Sequence, residues 1–145
     1  MIVYLDASAL VKRYVHERGS DEVAGLVAES DAVGTAATSA AEVTAAIARA
    51  ARMALISREE AESAREALQS DWDFLMRLQV TEALVRRAAS LAWEQALRGY
   101  DSVHLAAALL WAEAVGEPVH LATFDRQLWR AARATGLPAW PAAAP

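Results

Sequence analysis

MIVYLDASALVKRYV, residues 1–15, sets an apolar run, an acid and a helical pattern in immediate succession. Residues 2–6, IVYLD, read as a buried strand ending in a carboxylate. Ser8 can cap the helix that follows, in which Leu10, Val11, Tyr14 and Val15 recur at helical spacing. The same order returns near the other end of the chain. VHLATF at 119–124 is a strand, Asp125 opens a helix that Gly136 closes, and LPAW adds a short final strand before an AAAP tail expected to fray.

Between these units the alternation continues. A helix from Ser20 to about Ser30 precedes a weak strand, AVGTA at 32–36. SAAEVTAAIARAARM, from Ser39 to Met53, is helical, and Ser57 with Glu60 offers a capping box for a helix through Trp72. LMRLQV at 75–80 predicts a strand, and Thr81 opens a helix ended by Gly99. A helix from about Asp101 to Gly116 is apolar on most faces and therefore buried. Strands alternating with helices predict an α/β fold, a mostly parallel sheet covered on both faces, with its ligand site outside the carboxyl ends of the strands. Residues 1–140 form one domain in this reading and 141–145 a short tail.

Composition narrows the function. The chain has 145 residues, 55% of them hydrophobic and 23% charged, which predicts a folded domain with a substantial core. No apolar run is long enough to span a bilayer, and the N-terminus lacks the basic region of a signal peptide, so a cytoplasmic protein is expected. The absence of cysteine excludes disulfides, thiolate zinc sites and a cysteine nucleophile. A net charge of −5 argues against a broad basic surface for nucleic acid, so such a substrate must be held by a local patch or through metal ions.

Four acids stand where strand ends are expected: Asp6, Glu42 in TSAAEV, Asp101 in GYDSVHLAAA, and Asp125. Taken singly, each has a capping role open to it; Ser39 and Glu42 even spell a capping box. Taken together, they define an acidic pocket. Two carboxylates about 5 Å apart at an effective dielectric near 20 repel by roughly 3 kcal/mol, so a cluster requires a cation. Oxygen-only ligands suit Mg2+ or Mn2+, and a metal held this way points to phosphodiester chemistry. Ser8 and Thr123 flank the acids as hydroxyls able to orient them, although a cap and an ordinary strand threonine fit equally well. Lys12, Arg13 and Arg126 are rim cations for substrate phosphates, or plain solvated helix charges. His104, one helical turn beyond Asp101, reads as a packed, hydrogen-bonded core histidine.

These residues resemble the PIN-domain family, and within it the VapC-type toxins of toxin–antitoxin pairs. The resemblance rests on IVYLDASALVKRYVHERGS, TSAAEV, YDSVHLAAAL and LATFDRQLWRAARATG in that order, with residues 54–80 similar in helical character only. It implies a three-layer α/β/α fold with a five-stranded parallel sheet and a Mg2+- or Mn2+-dependent endoribonuclease. The family's acids fall on Asp6, Glu42, Asp101 and Asp125, and its polar partners on Ser8 and Thr123. A homodimer and a cognate VapB-type antitoxin, whose C-terminal segment fills the active-site groove, are implied as well. The apolar helices at 43–55 and 84–97 are candidate surfaces for those two partners. A phosphatase with an aspartyl nucleophile would want an acid where Ser8 stands, and a phospho-acceptor receiver would need an acid pair and a late lysine that the chain lacks. A non-catalytic RNA-binding or protein-interaction module on the same fold is the remaining alternative.

Overall fold

The computed structural model describes residues 1–145. Five strands, β1 (Ile2–Leu5), β2 (Ala32–Ala36), β3 (Met76–Leu78), β4 (Val119–Ala122) and β5 (Ala139–Trp140), pair in the order β3-β2-β1-β4-β5, every pair parallel. Seven helices, α1 (Ala7–Leu10), α2 (Ser20–Ala28), α3 (Ser39–Arg52), α4 (Arg58–Asp71), α5 (Glu82–Gln95), α6 (Gly99–Val115) and α7 (Arg126–Ala134), cover both faces. Successive strand side chains point to opposite faces, and β1 shows it. Val3 and Leu5 pack with α1, α2, α3 and α4. Tyr4 joins the second core, under α5, α6 and α7. The expected α/β/α layering is present, and no helix is long and apolar enough to cross a membrane.

Two contacts bring these layers into register at the C-terminal ends of the strands. Thr35 Oγ1 donates to the Leu5 carbonyl at 2.7 Å and lies 2.7 Å from Ser39 Oγ, joining the ends of β1 and β2 to the start of α3. Across the sheet, Gly34 leaves room for Trp111 of α6. A Cβ built at Gly34 would lie 2.7 Å from the Trp111 ring and 2.9 Å from the Met76 carbonyl oxygen, so α6 approaches β2 more closely than any side chain there would permit.

Several boundaries differ from those read in the sequence. Asp6, not Ser8, caps α1, and that helix gives way after one turn to a 3-10 turn at Val11–Arg13. The strand expected at 75–80 contracts to three residues. The helix expected to run to Gly99 stops at Gln95, where Ala96 takes a left-handed φ of 53°. A left-handed alanine costs roughly 1–2 kcal/mol. Burial of Leu97 and the bond from its N–H to the Ala92 carbonyl offset that cost. Gly99 then starts α6 rather than closing α5, placing Asp101 inside the first turn. The tail expected to fray is docked on α7, where Arg126 donates to the Pro145 oxygen and Trp129 Nε1 to the Pro141 carbonyl.

Candidate active site

β1 sends its chain toward β2 on one side, whereas β4 sends its chain toward β5 on the other. Connections that diverge in this way open a crevice at the C-terminal ends of the two strands. Asp6 and Thr123 follow those strands directly. Leu5 pairs with Ala122, and the Asp6 amide donates to the Ala122 carbonyl, so the two residues meet side by side.

Asp6 is 3% exposed and its oxygens are densely bonded. Oδ1 accepts from Ser8 Oγ and the Ala9 amide, both at 2.8 Å; Oδ2 accepts from Thr123 Oγ1 at 2.6 Å and from Ser8 Oγ at 2.9 Å. Ser8 and Thr123 are therefore orienting hydroxyls of the Asp6 carboxylate, and Ser8 Oγ also accepts the Phe124 amide. Burial pushes the Asp6 carboxyl above the usual carboxylate range, and the field of His104 and these hydrogen bonds only partly oppose it. All the donors around it are neutral. A carboxylate buried with no bonded cation is an electrostatic deficit.

The other acids arrive from three helix starts. Glu42, in the first turn of α3, does not complete a capping box: Thr38 precedes the helix without a side-chain cap, and the Ser39 hydroxyl turns inward to Thr35. Glu42 Oε1 instead accepts from His104 Nε2 at 3.0 Å. Asp125 caps α7 through the Leu128 amide. Asp101 and Asp125 are bridged by Arg98, whose Nε donates to Asp101 Oδ2 at 2.7 Å and whose Nη2 donates to Asp125 Oδ2 at 2.8 Å. All four acids, with Ser8, Arg98, His104, Ala7 and Phe124, line one cleft of about 280 Å3.

Arg98 and Tyr4 are the residues that sequence reasoning missed. Arg98 was hidden because Gly99 reads as a helix end; its spacing of three residues from Asp101 was the available signal. Tyr4 reads as an apolar strand residue, yet its hydroxyl lies 2.8 Å from His104 Nδ1. His104 is buried and hydrogen-bonded as expected, with the addition that it borders the cleft. Burial pulls its imidazole down, but the hydrogen bond to Glu42 and the charges of Asp6, Glu42 and Asp101 outweigh it and leave the group raised.

The three rim cations point elsewhere. Lys12 bonds Glu17 and the Arg18 carbonyl while its ammonium sits 4.3 Å from the Phe124 ring centre, at the margin of the cleft. Arg13 pairs with Asp71, and Arg126 holds the tail. None of the three lines the cleft.

The donor chemistry fits a hard divalent cation: four carboxylates facing one guanidinium, with one acid buried and bonded only by neutral groups. No three His, Asp or Glu side chains stand in a geometry that would hold an ion as they are placed. The guanidinium of Arg98 lies between two of the acids, so the ligand set is gathered into one cleft but not drawn tight.

A family model described as the PIN domain matches residues 3–134. Two Mycobacterium tuberculosis proteins, Ribonuclease VapC45 of strain CDC 1551 / Oshkosh and Ribonuclease VapC49 of strain ATCC 25618 / H37Rv, are each 37% identical to the chain over 142 residues. The alignments cover 97% of this chain and 96% of each relative. Among solved structures, a toxin–antitoxin complex from Klebsiella pneumoniae superposes with a TM-score of 0.65 at 13% identity, covering 99% of both chains. PAE2754 from Pyrobaculum aerophilum gives 0.66 at 20% identity, covering 96% of this chain and 83% of that one. VapBC2 from Rickettsia felis, bound to a promoter DNA fragment, gives 0.63 at 15% identity over 96% of this chain and 97% of its own. At such identities the structures speak for the fold, and the mycobacterial relatives speak for descent. Motif order, sheet topology and these matches together make the chain a member of the PIN-domain family, of the VapC type.

Proposed function

We propose that this chain is a divalent-metal-dependent endoribonuclease, the toxin of a type II toxin–antitoxin pair acting in the cytoplasm. The observation that carries the reading is the convergence of Asp6, Glu42, Asp101 and Asp125 on one cleft at the switch point of a parallel sheet. The ribonuclease names of the 37% identical relatives support it. A non-catalytic module would need Asp6 only as the cap of α1, a role that gives no reason to gather three further carboxylates around the same cleft.

Asp6, Glu42 and Asp101 are the residues that would hold Mg2+ or Mn2+, directly or through water, with Asp125 holding a second ion or orienting the attacking water. Bound there, the ion supplies an activated water and neutralises charge developing on the scissile phosphate. Ser8 and Thr123 fix the Asp6 carboxylate, so its orientation at the cleft is set without a search through rotamers. Arg98 is the one cation lining the cleft, and its planar fork matches a phosphate as well as the carboxylates it now bridges. No protein nucleophile is required, and attack by water leaves a 5′-phosphate and a 3′-hydroxyl. Purified protein freed of any partner should cleave RNA in Mg2+ or Mn2+ and stop on adding chelator. Cleavage that continues in chelator, or 2′,3′-cyclic ends, would sink the reading.

Two apolar surfaces suit the two protein partners. A groove between the 3-10 turn, α3 and the start of α4, lined by Val11, Val15, Ala46, Met53, Leu55 and Ile56, has the concave form that takes an extended antitoxin segment. The surface between α5 and α6 carries Val85 and Tyr100, and Trp93, 90% exposed, stands on α5 outside the lining of that surface. Large exposed apolar groups of this kind mark interaction surfaces, and this one is assigned to a second copy of the chain. Trp93→Arg should raise the dimer dissociation constant by roughly 30-fold, the effect of losing about 2 kcal/mol at a hot spot. Sedimentation equilibrium unchanged in that variant would remove this face from the interface.

A further inference from the structure

We propose that Tyr4 and His104 are positioning residues for Glu42: a chain running from the buried Tyr4 hydroxyl through the His104 ring to Glu42 Oε1 sets the orientation of that carboxylate in the cleft. The inference rests on the metal-dependent reading above and extends it to two residues outside the acidic set.

The geometry defines the direction of the chain. A carboxylate offers only acceptors, so His104 Nε2, 3.0 Å from Glu42 Oε1, must carry the hydrogen. The other ring nitrogen, Nδ1, lies 2.8 Å from the Tyr4 hydroxyl, which can donate to a neutral ring or accept from a charged one. The bond to Glu42 is therefore kept whichever form the ring takes. The Tyr4–His104 link is shut away from water, with Tyr4 fully buried and His104 2% exposed, so solvent cannot replace the Tyr4 hydroxyl without opening the core. The His104–Glu42 link lies at the wall of the cleft, with Glu42 partly exposed. The rings also meet edge to face, 5.8 Å between centroids, which removes the remaining freedom of the imidazole.

The elements that supply these groups explain why the chain can aim a side chain. Tyr4 stands on the central strand, His104 on the most buried helix, and Glu42 on the first turn of α3 across the cleft. Glu42 is the only one of the four acids that makes no hydrogen bond to a main-chain amide, a hydroxyl or Arg98. Asp6 is set by Ser8, Ala9 and Thr123; Asp101 and Asp125 are set by Arg98. His104 is the corresponding support for Glu42. A supporting partner of this kind, when removed from a ligating carboxylate, typically changes metal affinity 10–100-fold.

The test measures Mn2+ affinity directly, by the electron paramagnetic resonance signal of free Mn2+ in titrations of wild type, His104→Ala, His104→Gln, His104→Asn and Tyr4→Phe, with thermal midpoints beside it. His104→Ala should weaken Mn2+ binding by roughly 10–100-fold. Tyr4→Phe, which keeps the ring and loses the hydroxyl, should weaken it less. Glutamine places an amide N–H near the position of Nε2 and should recover much of the affinity; asparagine reaches only to the position of Nδ1 and should not. Should the alanine variant fail to fold, the glutamine, asparagine and Tyr4→Phe proteins carry the comparison. Folded variants with a lowered thermal midpoint but wild-type Mn2+ affinity would overturn the proposal, since packing alone would then account for the pair. So would equal loss in the glutamine and asparagine proteins. Wild-type protein that takes up no Mn2+ would overturn the metal reading and this inference with it, whereas normal wild-type uptake with unaffected variants overturns the inference alone.

Discussion

Asp6→Asn should lower metal-dependent RNA cleavage by roughly 10^3-fold while the protein becomes more stable in chelator. The two halves of this result share one cause. Asp6 is buried and accepts hydrogen bonds from two hydroxyls and an amide, with no cation bonded to it. Asparagine keeps the shape, and the hydroxyls of Ser8 and Thr123 can turn to accept from its amide, so the fold loses little. What disappears is a full negative charge at the site of the cation, an effect on the scale of losing a group that acts on developing charge. Burial raises the Asp6 carboxyl above its ordinary range, so between the unfolded and folded values the folded chain binds a proton that the unfolded chain does not. The stability contributed by this group is therefore complete below the usual carboxylate range and is lost as pH rises through the raised value. In chelator, the thermal midpoint of the wild type should fall relative to Asp6→Asn over that rise, and Mg2+ should restore it. Cleavage surviving in Asp6→Asn after a contaminating nuclease is excluded would refute the assignment. A midpoint difference flat with pH would refute the electrostatic cause.

Trp111→Ala should cost about 3–5 kcal/mol of stability, the range for deleting a buried large aromatic. Trp111 fills the space left by the missing side chain of Gly34 and so fixes α6 against β2. The reciprocal change, Gly34→Ala, forces a methyl to within 2.7 Å of the same ring and should cost about 1–3 kcal/mol by overpacking. The contact matters to the site because α6 carries Asp101 and His104, while the segment after β2 carries Glu42. Urea denaturation would measure both losses. A Trp111→Ala protein within about 1 kcal/mol of wild type would show that the cavity collapses and that this contact does not hold the layers.

The sequence disclosed the layers and the strand-end acids for one physical reason: a buried strand followed by a helix leaves a local record in a few consecutive residues. Asp6 after IVYL and Asp125 after VHLATF are legible in this way, as is the parallel sheet that their repetition implies. Supports that reach across the chain leave no such record. Tyr4 and His104 stand a hundred positions apart, and nothing near either one names the other. The break at Ala96 was invisible because alanine is the strongest helix former, and only tertiary anchoring of Leu97 makes it turn. Misplacing that break hid Arg98, and with it the bridge between Asp101 and Asp125.

The outermost strands, β3 and β5, have three and two residues, and the middle residue of β3 is Arg77, whose guanidinium is tied back to Asp73. Such short, charged borders offer almost no ladder of free amides and carbonyls to a foreign backbone. The sheet is thereby closed to augmentation by an added strand, both from another copy of the chain in a misfolding cascade and from a regulatory peptide. Under the function proposed above, an antitoxin would have to capture this chain through side-chain recognition on its helical flanks, where variation from one family member to the next can keep each partner faithful to its own target.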